Sequence, residues 1–234
     1  FGLSSFTQLT VNPWMFDKPA YDPVTDFAPV TALWASQVVL AVRADSPFTT
    51  LDGLLKTARG QPGRLSYSSS GVGQPPHVLL ELVEHRASVH LLHIPYRGGP
   101  PAVAAAIAGD VDMVFEGAAG LVPQVKAGRL RALAVTGERR MAALPDVPTF
   151  AERGIADIDN SWVALLAPAG TPGAIVERLQ QEVAKVLALP DVRSSLDASG
   201  RLPLASTSAA LGAMVRDTTP KWRELVRVAG LKPE

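Results

Sequence analysis

The sequence predicts an α/β protein whose sheet is covered by helices on both faces. Short apolar runs alternate with helical stretches through residues 28–136, and glycines or prolines separate most of them. Strands that alternate with helices of this length are typical of βα units and of a parallel sheet. Because 47% of the residues are apolar and only 19% are charged, the chain can also form a substantial core.

The apolar runs predict the strands, and a 3.6-residue spacing of apolar side chains predicts the helices. The predicted strands are Ala28–Trp34, Val38–Val42, Leu65–Ser68, His90–Tyr96, Val111–Phe115, Leu130–Thr136 and Trp162–Pro168. The helices predicted between them are Leu51–Ala58, a run that starts at Pro75 or Pro76, Pro100–Ala108 and Leu121–Ala127.

The pattern becomes mainly helical after Thr171. One helix is predicted to end at Pro190, a short one covers Asp191–Gly200, and the last covers Ser208–Gly230. Pro220 lies inside the last helix. Proline removes a backbone donor and crowds the preceding turn, so we expect a break or kink there.

Two apolar crossings, Val38–Val42 and Trp162–Pro168, bracket the βα-rich middle of the chain. A module inserted between flanks that belong together explains this arrangement. We therefore predict one lobe formed by residues 1–39 and 166–234 and a second, inserted lobe formed by residues 40–165. Two crossings are also what a hinged, two-lobed binding protein requires.

Composition argues against several classes of partner. The 22 basic and 22 acidic residues give a net charge of zero, so no nucleic acid or anionic membrane surface is expected. No apolar run is long enough to span a bilayer, so no direct membrane insertion is expected. The chain opens at Phe1 without a signal peptide, which suggests an internal position of a longer protein.

The sequence contains no pattern typical of a catalytic or metal site. Cysteine is absent, and the four histidines form no ligand pair at helical spacing, so we predict no metal and no cofactor. A Gly-x-Ser-x-Gly elbow, a Walker loop and a zinc helix are all missing. The chain is accordingly predicted not to be an enzyme, with no catalytic residues.

The most informative stretch is the strand–turn–helix of Leu65–His77. Three serines at 68–70 offer hydroxyl groups, and Gly71 and Gly73 let the backbone approach a ligand closely. A helix N-terminus also concentrates unpaired N–H groups, which favours an anion. The alternative is a simple turn with capping serines. We favour ligand contact, with Ser69, Ser70 and Gly71 as donors.

Other candidate residues have a structural alternative. Arg97, between Tyr96 and Gly98, follows a strand and could bind a carboxylate, although a solvated surface arginine is favoured. Glu116 could accept a ligand ammonium group or, as favoured, cap the next turn. Trp162 could line a cleft, but packing at a hinge is favoured. His77 is expected to be structural.

A series of motifs, in order along the whole chain, closely resembles one family. The motifs are Tyr21–Val30, Tyr67–Gly73, His93–Gly98, Ala108–Phe115, Pro123–Thr136, Leu144–Glu152 and Leu165–Pro172. Each motif alone is weak, but the ordered series is specific. It is similar to the Bug (TctC-like) family of periplasmic solute-binding receptors.

This resemblance implies a type II periplasmic-binding-protein fold, with two lobes and two hinge crossings. It implies a periplasmic receptor that captures a small carboxylated metabolite in an interlobe cleft and delivers it to the membrane components of a tripartite tricarboxylate transporter. Together, the residues and the resemblance give these candidate ligand-binding residues: Ser4, Ser5, Thr7, Ser69, Ser70, Gly71, Gly73, Tyr96, Arg97, Glu116 and Trp162. For Ser4, Ser5 and Thr7, a frayed terminus made of small polar residues explains the sequence equally well.

The chain departs from the family pattern at several places. It lacks the family's first strand, Pro/Gly-rich loop and helix, so we expect lobe one to be incomplete, with an uncovered apolar sheet edge. Gln74-Pro75-Pro76 replaces small residues and removes two backbone donors, and Glu116 stands where aspartate is common.

Two other functions stay open at this point. An enzyme could use the Ser/Gly turn to bind a phosphate-bearing substrate or cofactor. The chain could also be the effector-binding domain of a LysR-type regulator, although the absence of a preceding helix-turn-helix opposes this.

Overall fold

The chain divides into two compact units. Unit 1 comprises residues 1–36 and 161–234, and unit 2 comprises residues 37–160. The computed structural model describes residues 1–16 and 18–231, so residues 17 and 232–234 of predicted lobe one lie outside the described residues. The unit limits at 36 and 160 lie a few residues before the predicted lobe limits at 39 and 165.

Both units contain strands and helices, which confirms the predicted α/β class. In chain order the elements are β1 (Gly2–Ser5), α1 (Phe6–Thr10), α2 (Asn12–Met15), β2 (Phe27–Ser36), β3 (Val38–Arg43), α3 (Leu51–Gly60), β4 (Ser66–Ser69), α4 (Pro75–Ala87), β5 (Leu92–Pro95), α5 (Gly99–Ala108), β6 (Met113–Gly117), α6 (Ala118–Lys126), β7 (Leu130–Val135), β8 (Ser161–Pro168), α7 (Gly173–Ala188), α8 (Pro190–Ala198), β9 (Arg201–Pro203) and α9 (Ser208–Ala229).

Unit 2 is built on a five-stranded sheet in the order β5-β4-β6-β3-β7. Strand β4 pairs in parallel with β5 and β6, whereas β3 is antiparallel to β6 and β7. Helix α4 follows β4 and helix α6 follows β6, and both helices pack their apolar side chains on the sheet. The core includes Val39, Val114 and Leu121, all with 0% exposure.

The strand order of unit 2 reverses at β4. Helix α4 connects β4 to β5 on one side, and α5 connects β5 back to β6 on the other side of β4. Since β4, β5 and β6 are parallel, their carboxyl ends lie at the same edge of the sheet. Open α/β sheets bind ligands at such a reversal point.

The sheet of unit 1 is antiparallel throughout, in the order β1-β8-β2-β9. The expectation of a parallel sheet is therefore wrong for this unit. The reason is that β2 and β8, which pair along their whole length, lie on either side of the inserted unit and are not joined by a βα crossover. At the outer edge, Phe1 and Leu3 are 69% and 63% exposed, so the sheet edge carries apolar side chains.

Helix α9 runs from Ser208 to Ala229 without the break expected at Pro220. The break is therefore absent, because packing along the whole helix outweighs one lost backbone bond. Val215 and Trp222, before and after the proline, are both buried. The Thr219 hydroxyl also donates to the carbonyl of Val215 at 2.6 Å. Burial on both sides of the proline keeps the two halves of the helix in one element.

Replacing Phe115 tests the core of unit 2. This side chain is fully buried on β6 and meets Phe150 edge-on, with 5.8 Å between ring centroids. Phe115→Ala is expected to lower the free energy of unfolding by about 3–5 kcal/mol, measured by urea denaturation. Ile175→Ala, at a 47% exposed position on α7, is the control and should change it by less than about 0.5 kcal/mol. An equal loss of unfolding free energy in the two variants would contradict the placement of Phe115 in the core.

Candidate functional site

The candidate site of unit 2 lies where β4, β5 and β6 end. The backbone N–H of Tyr96 donates to the carbonyl of Ser69 at 3.0 Å, and that of Gly98 donates to Ser70 at 3.3 Å. These bonds tie the turn after β4 to the turn after β5. The structure thus brings together the residues of unit 2 that were predicted to bind ligand: Ser69, Ser70, Gly71, Gly73, Tyr96, Arg97 and Glu116.

Two glycines allow these turns to pack closely. Gly71 has a φ of +129°, and a Cβ atom there would lie 3.3 Å from the carbonyl oxygen of Tyr96. A Cβ atom at Gly99, the first residue of α5, would lie 3.3 Å from the Cδ atom of Glu116. Glycine at residue 71 suits its positive φ, and at residue 99 it avoids a tight contact with the Glu116 side chain.

Most polar groups of the turn at 68–73 bond within unit 2. The Ser68 hydroxyl donates to the carbonyl of Ala102 at 2.8 Å. The N–H of Gly71 donates to Ser69 Oγ at 3.2 Å. The N–H of Gly73 donates to a histidine ring nitrogen. Ser70 differs because it is half-buried, whereas Ser68 and Ser69 are fully buried. Ser70 is therefore the accessible hydroxyl of the three.

The helices that begin at this edge start with prolines. Pro75 and Pro76 open α4, and Pro100 and Pro101 lie in the first turn of α5; neither helix has a side-chain cap. Proline has no N–H group, so each helix loses donors that would otherwise face the edge. This bears out the loss of donors expected from residues 75 and 76 and extends it to α5.

Glu116 ends β6 beside Ser70. Its Oε1 atom accepts from the N–H of Gly117 at 2.8 Å, so the carboxylate caps the turn into α6, the interpretation favoured from the sequence. Burial raises the pKa of Glu116, more than the hydrogen bonds from Gly117 and Ser70 lower it. Among the described residues, its buried Oε2 atom has no partner that meets hydrogen-bond geometry. Arg97, nearby, is exposed.

A polar cluster that the sequence did not reveal lies behind the turn. Tyr67, His93 and His77 stack with their rings 4.6 and 4.3 Å apart. His77 is structural, as expected, with Nδ1 accepting from Gly73. The sequence assigned His93 no role beyond its place in the motif His93–Gly98. Its position opposite Tyr67 depends on the register of β4 and β5, which the sequence does not display.

Two glutamates of α4 extend this cluster. Burial raises the pKa of Glu81 to about 7 and that of Glu84 to about 8, with Glu81 adding to the effect at Glu84. Glu84 is 6% exposed, and its Oε2 atom accepts from the N–H of Leu91 at 2.7 Å. Both carboxyls are therefore biased toward the neutral form.

The predicted site residues of unit 1 lie near the start of α1. Ser5 caps this helix, because its N–H donates to Gln8 Oε1 at 2.8 Å and its hydroxyl accepts from the Gln8 N–H. Thr7 is buried, with Oγ1 3.0 Å from Ser5 Oγ. Ser4 donates to Gln8 Oε1 at 3.2 Å and lines a cavity of about 420 Å³.

Trp162 is 8% exposed at the start of β8, one residue from the partner of Ser5 in the β1–β8 pairing. Its ring contacts Phe6, with 6.1 Å between centroids, and Phe6 in turn contacts Trp222. The Trp162 side chain is thus packed against Phe6, in line with the structural role that the sequence favoured over lining a cleft. The four unit-1 residues are neighbours, and most of their polar groups bond locally.

Comparison with known proteins identifies the family. The model described as "Tripartite tricarboxylate transporter family receptor" matches residues 2–231. The chain belongs to this receptor family. The UPF0065 protein in the tcbD-tcbE intergenic region of Pseudomonas sp. strain P51 is 38% identical over 226 residues, which cover 96% of this chain and 67% of that protein. For a second relative, from Cupriavidus necator, the match to this chain covers 65% of that protein's length.

Solved structures of such receptors have the same fold. Rpa4515 of R. palustris, solved with adipate, superposes with a TM-score of 0.89 at 29% identity, over 99% of this chain and 78% of that one. MatC of Rhodopseudomonas palustris, solved with malate, has a TM-score of 0.85 and 28% identity, over 96% of this chain and 78% of that one. The periplasmic binding protein BugD has a TM-score of 0.87 and 27% identity, over 99% of this chain and 78% of that one. The predicted periplasmic-binding-protein fold is confirmed.

Two further properties concern residues 1–16 and 18–231 only. Within these ranges, no helix has the length and apolar character needed to cross a membrane. Within the same ranges, no three side chains of His, Asp or Glu cluster as metal ligands.

The role of Gly71 can be tested by substitution. Gly71→Ala should destabilise the turn by about 1–3 kcal/mol, because an L-residue rarely adopts this φ and the new methyl group meets the Tyr96 carbonyl. Gly60→Ala at the end of α3, where a Cβ atom meets no atom within 4 Å, is the matched control. In a thermal unfolding experiment, an equal fall in Tm for the two variants would contradict the close packing of the turn.

The buried glutamates predict a dependence of stability on pH. Their folded pKa values, about 7 and about 8, lie above the ordinary 4.5. Their contribution to stability is therefore complete below about pH 4.5 and is lost as the pH rises through 7 and 8. Glu84→Gln removes one ionisation, so its Tm should fall less than that of the wild type between pH 5.5 and 9. Glu177→Gln, exposed on α7, should follow the wild type; identical curves for both variants would contradict this.

Proposed function

We propose that this receptor captures a small carboxylated metabolite at the edge where β4, β5 and β6 end. The convergence of three strand ends at the reversal of strand order carries the proposal, because ligands of open α/β sheets bind there. Relatives solved with adipate and malate support a carboxylate as the ligand class. The captured solute passes to the membrane components of a tripartite tricarboxylate transporter outside the cytoplasm.

The ligand contacts proposed for unit 2 are made by its accessible groups. The half-buried Ser70, which also lies within reach of Glu116, contacts the ligand, and the exposed Arg97 supplies the positive charge that a carboxylate requires. Tyr96, half-buried between them, adds ring surface and backbone contact. Gly71 and Gly73 let the backbone approach, while buried Ser69 supports the turn from behind.

Glu116 adds selectivity in this proposal. Its Oε2 atom lies buried beside Ser70 without a well-formed hydrogen bond to any described residue. A buried acceptor of this kind favours a ligand that brings its own donor, such as a hydroxyl or ammonium group. In unit 1, Ser4, Ser5, Thr7 and Trp162 remain proposed contacts, with Ser4 the most accessible to a ligand through its cavity.

Binding without catalysis agrees with the geometry of the one serine–histidine pair in this cluster. Ser69 Oγ lies 2.7 Å from His93 Nε2, but Ser69 has 0% exposure. A nucleophile must reach a substrate carbonyl or phosphoryl group. This serine is enclosed by protein, so the pair supports a structural role.

Ligand titration tests the proposal. Calorimetry with malate and adipate should show saturable binding, and ATP should show none. Arg97→Ala should weaken the binding of both carboxylates about tenfold through loss of a charged hydrogen bond. The control is Arg129→Ala, an exposed arginine before β7 at the opposite edge of the sheet. Binding of ATP alone would overturn the receptor function and favour an enzyme that recognises phosphate.

A further inference from the structure

Three stacked rings lie directly behind the turn at 69–73. The ring of His93 lies between those of Tyr67 and His77, at interplanar angles of 19° and 21°. Tyr67 and His93 face each other in the register of β4 and β5, and His77 comes from the first turn of α4. Each element that meets at the turn therefore contributes one ring, and the stack holds the two imidazoles in place.

His77 fixes one end of the turn. Its Nδ1 atom accepts from the backbone N–H of Gly73 at 3.2 Å, and both residues are buried. A neutral imidazole has one donor and one acceptor nitrogen. The ring proton is therefore on Nε2, which lies 3.6 Å from Glu81 Oε1.

His93 fixes the other end through Ser69. The Ser69 hydroxyl accepts from the Gly71 N–H at 3.2 Å and lies 2.7 Å from His93 Nε2. Because Ser69 has 0% exposure, its hydroxyl proton cannot reach water, and leaving it without an acceptor would be costly. Ser69 therefore donates to Nε2. The ring proton of His93 is on Nδ1, and His93 is partly exposed, so that proton can reach solvent.

The environment keeps both rings neutral. Burial lowers the pKa of His77 to about 4. Burial, with the neighbouring His77, lowers the pKa of His93 to about 3. A protonated ring would lose its acceptor nitrogen and would release the group that it holds. Both imidazoles therefore act as hydrogen-bond acceptors at neutral pH.

We propose that His77 and His93 are positioning residues that set the shape of the turn at 69–73, one by accepting the Gly73 N–H and the other by orienting Ser69 onto Gly71. Through opposite tautomers the two rings hold the Gly73 N–H and the Ser69 hydroxyl inside the turn, whereas the half-buried Ser70 can face the ligand. This role rests on the proposed function, in which the turn contacts a carboxylate.

Nitrogen-15 NMR of the ligand-free protein tests the tautomers directly. We expect His77 to carry its proton on Nε2 and His93 on Nδ1, with slow hydrogen exchange at the Gly73 amide. A purely structural role of the two rings does not require opposite tautomers. The same tautomer in both, or the reverse assignment, would overturn the proposal whether or not any ligand binds.

Amide isosteres test the positioning role. The oxygen of asparagine can replace Nδ1, and that of glutamine can replace Nε2, so His77→Asn and His93→Gln should keep most of the malate affinity. The crossed variants His77→Gln and His93→Asn should lose about tenfold. Circular dichroism and urea denaturation verify that each variant is folded. His85→Asn, exposed on α4, is the control for a histidine of the same helix.

The outcomes separate this inference from the proposed function. Malate affinity that is equal in all four variants and the wild type would overturn the positioning role. If the wild type binds no carboxylate, the proposed function fails, and amide exchange still tests the positioning. Slow Gly73 exchange in His77→Asn and fast exchange in His77→Gln would then support it, whereas equal rates would overturn it.

Discussion

The parallel pairing of β4 with strands on both sides is the constraint on which the candidate site depends. Ser69 is opposite Pro95 of β5, and Ser68 is opposite Val114 of β6, so the three strands end at one edge. Each strand then turns into a helix, and the three turns must share a small space. Close approach explains why glycine occupies residues 71 and 99, where side chains would meet a neighbouring turn.

The sequence predicted most strands because each is an apolar run between chain-breaking residues. Strands β1 and β9 lack this signal. Arg201–Pro203 has three residues and forms a strand only through its pairing with Trp34–Ser36 of β2. The unbroken helix at Pro220 shows the reverse effect, in which packing at a distance overrides a local rule. Non-local contacts are what a single sequence does not display.

The location of the candidate site could be proposed from the sequence, but the hydrogen bonds that each of its residues makes could not. Serines and glycines between a strand and a helix marked the turn. Ser68 and Ser69, the last two residues of β4, are fully buried, whereas Ser70 follows the strand and remains accessible. The partner of the Ser69 hydroxyl is His93, which meets it only because β5 pairs with β4. The composition of the turn therefore indicated a ligand, whereas its hydrogen bonds required the fold.

The proposed recognition of an anion at this edge relies on side chains more than on helix termini. The N-termini of α4 and α5 both point here, but each contributes two prolines in place of N–H donors. Of the remaining donors of the turn, the N–H groups of Gly71 and Gly73 are held by Ser69 and His77, and that of Ser70 bonds to Glu116. In the proposed function, the carboxylate is bound by side chains, with Ser70 and the cation of Arg97 as the contacts. Glu116 would repel this ligand if ionised, and the burial that raises its pKa reduces that repulsion. The same carboxyl group can therefore lie beside an anion and still accept a hydrogen bond from a hydroxylated ligand.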